Sequence, residues 1–273
     1  MKSVRAIAIG GFDGMHIGHQ KLFEAVGDSG AILVIETGYA NLTPGHEREH
    51  YTDLPIFYYE LDTIRHLDAE GFIAKLSVEF PALEKIVVGY DFHFGKDRRF
   101  TINDLRQHFS GEVEVIAEVS VENDSVHSHK IRAKLQIGDI KGANRFLGYN
   151  YTVCGTKVQG QGLGQKELYA TINIDVKEFL LPKEGVYVTM ARLDDEEHYH
   201  PSVSFIGHRV TTDGSFAVET HILDTTVADV RKLRLSFVDF IRPNRKFETL
   251  DALKEAIADD IAVAKRKTGQ LSL

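Results

Sequence analysis

Gly10-Gly11-Phe12-Asp13-Gly14-Met15-His16-Ile17-Gly18-His19-Gln20 follows the short apolar run Val4 to Ile9 and precedes a helical pattern over His19 to Val26. A strand, a glycine-rich turn and a helix N-terminus in that order open a parallel α/β layer. In such a turn, backbone N–H groups approach phosphate oxygens closely, and the helix start adds a partial positive charge. Two imidazoles three residues apart, His16 and His19, can donate hydrogen bonds to a phosphorus centre that gathers charge as it is attacked. The pattern is a way to hold a nucleotide triphosphate without a P-loop lysine. By itself the His-x-Gly-His spacing also suits two histidines on an exposed turn. Its place after the first strand and the surrounding Gly-Phe-Asp-Gly favour the phosphate reading.

Outward from this motif, strands and helices alternate. Ala31 to Glu36 and Lys85 to Val88 read as strands, as does Val113 to Val119. Asp68 to Phe80 has helical spacing, and Thr101 caps a helix running to His108. Strands separated by helices imply a parallel sheet, whose ligands bind at the C-terminal strand ends, where Gly11 and Gly89 fall. Ser128 to Ile137 reads as a basic amphipathic helix and Asp139 to Leu147 as a second, stopped by Gly148. Beyond it come six short segments without intervening helices: Tyr151–Val158, Ala170–Ile174, Gly185–Leu193, Ser202–Ile206, Ala217–Leu223 and Lys232–Phe240. They predict a small antiparallel β-barrel or sandwich. A closing helix carries Leu250, Leu253, Ile257 and Ile261 on one face, with acidic residues early and Lys265 to Lys267 late. The expected domains are residues 1–148 and 149–273.

The 273 residues suffice for two domains, and 43% hydrophobic with 26% charged residues is a globular composition. A net charge of −8 argues against a general nucleic-acid binder. The single cysteine, Cys154, makes no internal disulfide and no cysteine-based zinc site. No signal peptide is visible, and no run approaches the ~20 apolar residues of a membrane span. The expectation is a cytoplasmic protein with no membrane partner. His46, His50, His198 and His200 invite a metal reading, but no acidic or cysteine set accompanies them, and exposed loop histidines are the favoured reading.

The second half carries chemistry of its own. Gly155-Thr156-Lys157-Val158-Gln159-Gly160-Gln161-Gly162-Leu163-Gly164 is a second glycine-rich stretch, leading to Thr171-Ile172-Asn173. Gly155, Gly160, Gly162 and Gly164 suit a backbone wrapped round a phosphate chain, although a glycine-rich hairpin fits the glycines equally well. A Thr hydroxyl and an Asn amide oxygen are hard ligands for Mg²⁺ shared with nucleotide phosphates.

The first motif resembles the signature of nucleotidylyltransferases, and Gly11-Phe12-Asp13-Gly14 with His16 and His19 is most similar to the prokaryotic bifunctional riboflavin kinase/FAD synthetases. Val88-Gly89-Tyr90-Asp91-Phe92-His93-Phe94-Gly95 is similar to that family's Val-Gly-x-Asp-Phe-x-Phe-Gly. Val126-His127-Ser128-His129-Lys130-Ile131-Arg132 is similar to its Ile-Ser-Ser-Thr-x-Ile-Arg, with two histidines in place of Ser and Thr. The second glycine-rich stretch resembles the ATP-binding flap of riboflavin kinases, followed by their Pro-Thr-Ala-Asn, here Ala170-Thr171-Ile172-Asn173. Gly185-Val186-Tyr187, Gly207-His208-Arg209, Val218 to Asp224, Leu235 to Phe240, Arg242-Pro243 and Lys246-Phe247 match the same family in order.

The resemblance implies a Rossmann-like nucleotidylyltransferase domain followed by a riboflavin kinase barrel. The barrel would phosphorylate riboflavin from ATP with Mg²⁺ as cofactor, and the first domain would adenylylate FMN to FAD, releasing pyrophosphate. Riboflavin, FMN and ATP are the implied small-molecule partners. By resemblance Glu219 is the general base that takes the ribityl hydroxyl proton, a task that suits a carboxylate because an alcohol is a poor nucleophile while protonated. Thr171 and Asn173 hold the metal, and Asp91, Phe92 and Asn173 are flavin-binding candidates. Gly11, Phe12, Asp13 and Gly14 bind ATP with His16 and His19, while Ser128 and Arg132 take the leaving pyrophosphate. The chain departs from the family after the second strand, where Thr-Phe-x-Pro-His-Pro is replaced by Glu36-Thr37-Gly38-Tyr39-Ala40-Asn41-Leu42. Phe205 also replaces an Asn. Two alternatives stay open: a riboflavin kinase with an impaired or altered adenylyltransferase half, and a non-catalytic flavin- or nucleotide-binding regulator.

Overall fold

The computed structural model describes residues 3–159, 169–211, 213–225 and 230–269, so Gly160, Gly162 and Gly164 lie outside the described residues. The first compact unit contains β1 (Ala6–Gly10), α1 (Ile17–Val26), β2 (Ala31–Glu36), β3 (Ile56–Glu60), the one-turn α2 (Leu61–Ile64), α3 (Ala69–Glu79), β4 (Lys85–Gly89), α4 (Ile102–His108) and β5 (Glu112–Ile116). A hairpin, β6 (Ser120–Val121) and β7 (Asp124–Ser125), follows. The five-stranded sheet has the order β3-β2-β1-β4-β5 and every pairing is parallel.

Successive residues of the central strands enter opposite layers, as the two-residue period of a strand requires. Ile7, Ile9, Leu33, Ile86 and Val88 pack with Phe72, Ile73 and Leu76 of α3 and Leu105 of α4. Ala8, Ile32, Val34 and Val87 pack with Leu22, Phe23 and Val26 of α1. Strand order reverses between β1 and β4, so the crevice at their C-terminal ends is the expected ligand position of a doubly wound sheet. Thr101 caps α4 as predicted, forming a reciprocal capping box with Asp104, and Asp68 caps α3.

The second unit begins at His129 and takes in nearly all of α5 (Ser128–Ile137) and all of α6 (Ile140–Leu147). The barrel strands are β8 (Thr152–Val158), β9 (Ile172–Asp175), β10 (Gly185–Leu193), β11 (His200–His208), β12 (Phe216–Ile222) and β13 (Lys232–Pro243), and α7 (Leu250–Thr268) ends the chain's described structure. The barrel closes in the order β10-β11-β12-β9-β8-β13 with antiparallel pairings, which leaves no open sheet edge.

The division at Ser128 differs from the change of pattern near residue 148 because α5 and α6 are tied to the barrel. The Lys183 N–H donates to the Leu135 carbonyl at 3.0 Å, and the Asn144 amide donates to the Phe237 carbonyl at 2.9 Å. Inside the barrel, Thr189, Ser202, Ser204 and Thr220 are fully buried and joined by hydroxyl hydrogen bonds of 2.8–2.9 Å. On its outer side Val186, Val188, Val203 and Leu223 meet Ile261 and Ala264 of α7. Asp260 of α7, also buried, is held by the Arg242 guanidinium at 2.8 Å.

Candidate active sites

The first site grows from the turn between β1 and α1. His16 is the N-cap of α1, its Nδ1 accepting the His19 backbone N–H at 3.3 Å. The two imidazoles stack at 3.5 Å between centroids, and a Cβ on Gly18 would press on the His16 ring at 3.2 Å, so glycine is what lets that ring lie over the helix start. Phe12 and Met15 hold left-handed backbone (φ 47° and 39°), a strain of about 1–3 kcal/mol each that burial must offset. Phe12 is buried with its ring edge-on to His19 and Phe23, each at 5.1 Å.

Burial, with a contribution from the His127 charge, pushes the His16 imidazole down to about 3. Burial first, then repulsion from His16 when protonated, Arg48 and His127, holds His19 well below its ordinary 6.5. Both rings are therefore neutral at pH 7, and the buried His19 Nδ1 has no hydrogen-bond partner. Neutral rings can still donate one hydrogen bond each, and a bound polyphosphate would favour their protonation.

The remaining turn residues divide by task. Gly11 is exposed at the end of β1. The Asp13 carboxylate is buried and accepts backbone N–H groups from Leu42 (3.0 Å), Thr43 (2.9 Å) and Asn41 (3.3 Å). The Gly14 N–H donates to Thr43 Oγ1 at 2.8 Å. Asp13 and Gly14 thus tie the turn to the loop after β2. Ser128, 115 residues away, donates from Oγ to the Asp13 carbonyl at 2.7 Å, so the fold brings it to the turn. Arg132 lies one helical turn further along α5. At the end of β4, Asp91 is exposed, and the half-buried Phe92 stacks on Phe94 at 5.7 Å.

Sequence reasoning missed Arg48. It is 1% exposed, and its guanidinium donates to Glu36 Oε2 (2.8 Å), the Gly45 carbonyl (3.0 Å) and the Gly11 carbonyl (3.1 Å). A buried guanidinium paired with Glu36 therefore braces the glycine turn from below, held by a residue beyond the segment that departs from the family pattern. His127 was noted only as a substitution. Its Nε2 is 3.3 Å from Glu118 Oε1 and 3.4 Å from the Tyr90 hydroxyl, which itself donates to Glu118 at 2.7 Å.

The second site lies on the barrel. Glu219 of β12 pairs directly with Asn173 of β9, so the predicted base and the predicted metal ligand are cross-strand neighbours. Arg209 joins them, donating from Nε to Glu219 Oε1 at 2.5 Å, from Nη2 to Asn173 Oδ1 at 2.6 Å and from Nη1 to Ser215 Oγ at 2.7 Å. Phe205 of β11 pairs with Glu219 from the other side. Thr171 is exposed just before β9, where the Ala170 carbonyl is held by His221 Nδ1 at 2.8 Å. Gly155 is buried in mid-β8 opposite Leu233, and a Cβ there would meet the Asp175 carbonyl oxygen at 2.7 Å. Its lack of a side chain lets β8 and β9 pack closely.

Comparison with known proteins bears on both sites. Residues 147–268 match the family model described as riboflavin kinase, and residues 55–130 match that of FAD synthetase. The bifunctional riboflavin kinase/FMN adenylyltransferase of Pseudomonas fluorescens is 29% identical over 94% of this chain and 91% of its own length. That of Escherichia coli K12 is 25% identical over 96% of this chain and 92% of its own. The chain belongs to the bifunctional riboflavin kinase/FMN adenylyltransferase family. It is an enzyme with a riboflavin kinase domain and an FAD synthetase domain, as the sequence predicts. The solved structure of a macrolide-efflux protein from Streptococcus pneumoniae shares the fold across 97% of this chain and 95% of its own, with 25% identity and a TM-score of 0.85. Efflux belongs to the name of that protein. Among the described residues of the present family member, no helix is long and apolar enough to cross a membrane.

Proposed function

We propose that the barrel transfers the γ-phosphoryl of ATP to riboflavin, that the α/β half then transfers AMP from a second ATP to the FMN formed, and that the functional boundary falls at residue 148. The observation that carries this reading is the direct opposition of Glu219 and Asn173 across β12 and β9. It sets a proton acceptor beside a hard oxygen ligand, the pair that activation of an alcohol and orientation of a nucleotide phosphate require. Thr171 and Asn173 would hold Mg²⁺ together with the phosphates, and the ion would supply charge neutralisation at the transferred group. Two oxygen donors suit an ion that draws its other ligands from substrate and water.

In the α/β half the FMN phosphate is itself the nucleophile, so alignment and charge stabilisation carry the reaction. His16 and His19 donate to the triphosphate at the N-terminus of α1, and Gly11 and Phe12 shape the approach. Ser128, with Arg132 one turn later, is assigned to the departing pyrophosphate by the family resemblance. Asp91 and Phe92 are assigned to the flavin on the same ground. Reciprocal variants test the two assignments. Glu219→Gln should lower FMN formation by about 10²–10⁴-fold and leave FAD formation from supplied FMN unchanged. His19→Ala should do the reverse, and a variant that loses neither activity removes its residue from the site.

A further inference from the structure

We propose that Arg209 is a catalytic residue of the kinase half, the cation that contacts the γ-phosphoryl group during its transfer. The inference rests on the kinase reading of Glu219 and Asn173 and adds a residue to it. Phosphoryl transfer spreads negative charge over the equatorial oxygens of the moving group, and a guanidinium placed at that charge is among the largest single contributors to the rate.

The position of Arg209 follows from the two residues it touches. Glu219 marks the acceptor end of the reaction, where the ribityl hydroxyl loses its proton, and Asn173 marks the donor end, where the nucleotide phosphates are oriented. The γ-phosphoryl passes between these ends. One guanidinium reaches both, through Nε at 2.5 Å and Nη2 at 2.6 Å. It is therefore on the transfer path.

The side chain is also held there. The Arg209 N–H donates to the Ser215 carbonyl at 2.9 Å, and the Gly214 N–H donates back to the Arg209 carbonyl at 3.1 Å. Ser215 is fixed in turn by Asp213, which accepts from its Oγ at 2.8 Å and its N–H at 3.0 Å. The Arg209 side chain is 16% exposed, so its charge acts in a partly desolvated place where it counts for more than in water. The planar guanidinium has five N–H donors, so it can turn some toward phosphoryl oxygens and keep others on the protein.

In the step itself, the ribityl oxygen forms its bond to the γ-phosphorus as the bond from that phosphorus to the bridging oxygen of ADP breaks. ADP leaves with the electron pair, the hydroxyl proton passes to Glu219, and Arg209 donates N–H to the γ-phosphoryl oxygens.

The test uses the full-length protein with Arg209→Ala, Arg209→Lys and Arg209→Gln. FMN formation is measured at saturating riboflavin and ATP, riboflavin binding measured by flavin fluorescence in the presence of ADP reports on folding of the barrel, and FAD formation from supplied FMN reports on the other half. Arg209→Ala should lower kcat for FMN formation about 10³-fold, with KM and riboflavin affinity changed by less than about threefold. Arg209→Lys, which keeps the charge and loses the fork, should recover about tenfold of that loss, and the neutral Arg209→Gln should recover none. FAD formation should stay at the wild-type level in all three. A kcat for Arg209→Ala within about tenfold of wild type overturns the proposal, as does a loss explained by riboflavin affinity alone. Arg209→Gln as active as Arg209→Lys overturns it too. Wild-type protein that forms no FMN overturns the kinase reading itself, and the proposal with it.

Discussion

His16 offers a direct physical test of the adenylyl-transfer site. Its ring is 6% exposed, and burial lowers its pKa from 6.5 to about 3. In the unfolded chain the ring takes up a proton near pH 6.5, and in the folded chain it does not until near pH 3. The unfolded state therefore binds more protons across that window, and stability is full above 6.5 and lost as the pH falls. At pH 5.5 the loss from one such histidine is RT ln(1 + 10), about 1.4 kcal/mol, whereas at pH 7.5 it is below about 0.1 kcal/mol. Asn at position 16 removes the titration and keeps a good N-cap for α1. Urea unfolding by circular dichroism at pH 7.5 and 5.5 compares His16→Asn with wild type at each pH, so the carboxylate titrations common to both cancel. The variant should lose about 1.4 kcal/mol less than wild type between the two values. Equal losses within about 0.3 kcal/mol would refute a neutral, buried His16 and the preorganised donor pair built on it.

Other perturbations address the support of the same site. Arg48→Met leaves Glu36 without its buried partner and should cost about 3–5 kcal/mol, read as an earlier unfolding transition, with FAD formation lost before FMN formation. An unchanged transition would mean that the Arg48–Glu36 pair is not what holds the turn. Asp13→Ala strips three backbone N–H groups of their acceptor, a cost of about 1–3 kcal/mol. Its KM for ATP in FAD formation should rise while FMN formation from riboflavin is untouched, and an unaltered KM would detach the 41–43 loop from nucleotide binding.

Much of the fold was legible because local pattern and tertiary burial agree. Ala31 to Glu36 is continuously apolar until its last residue and forms β2 over that range, and the Thr101 cap starts α4. The six predicted barrel segments coincide with β8 to β13 to within a few residues at each end. β3 escaped the sequence reading because Ile56-Phe57-Tyr58-Tyr59-Glu60 is an edge strand, mostly half-buried, without a clean alternation. The hairpin β6–β7 has two residues per strand, too few for any period.

The kinase pair was legible only through resemblance. Alternation along β12 says that Glu219 shares a face with Ala217 and His221, and nothing local says that Asn173 lies opposite. Arg48 sits in Gly45-His46-Glu47-Arg48-Glu49-His50-Tyr51, a polar run that reads as surface. Its burial is decided by Glu36 and Gly11, residues distant in sequence. Gly155 lies in the predicted strand Tyr151–Val158 as well as in the glycine-rich stretch, and the structure shows that the pairing of β8 with β9 leaves no room for a side chain there.

The most direct test of the central claim is chromatography of the flavins formed from riboflavin with excess ATP and Mg²⁺. The account predicts FMN that appears first and is then converted to FAD, with both halves working despite the altered segment after β2. Riboflavin left unchanged by protein that binds it, or FMN that accumulates with no FAD, would contradict it.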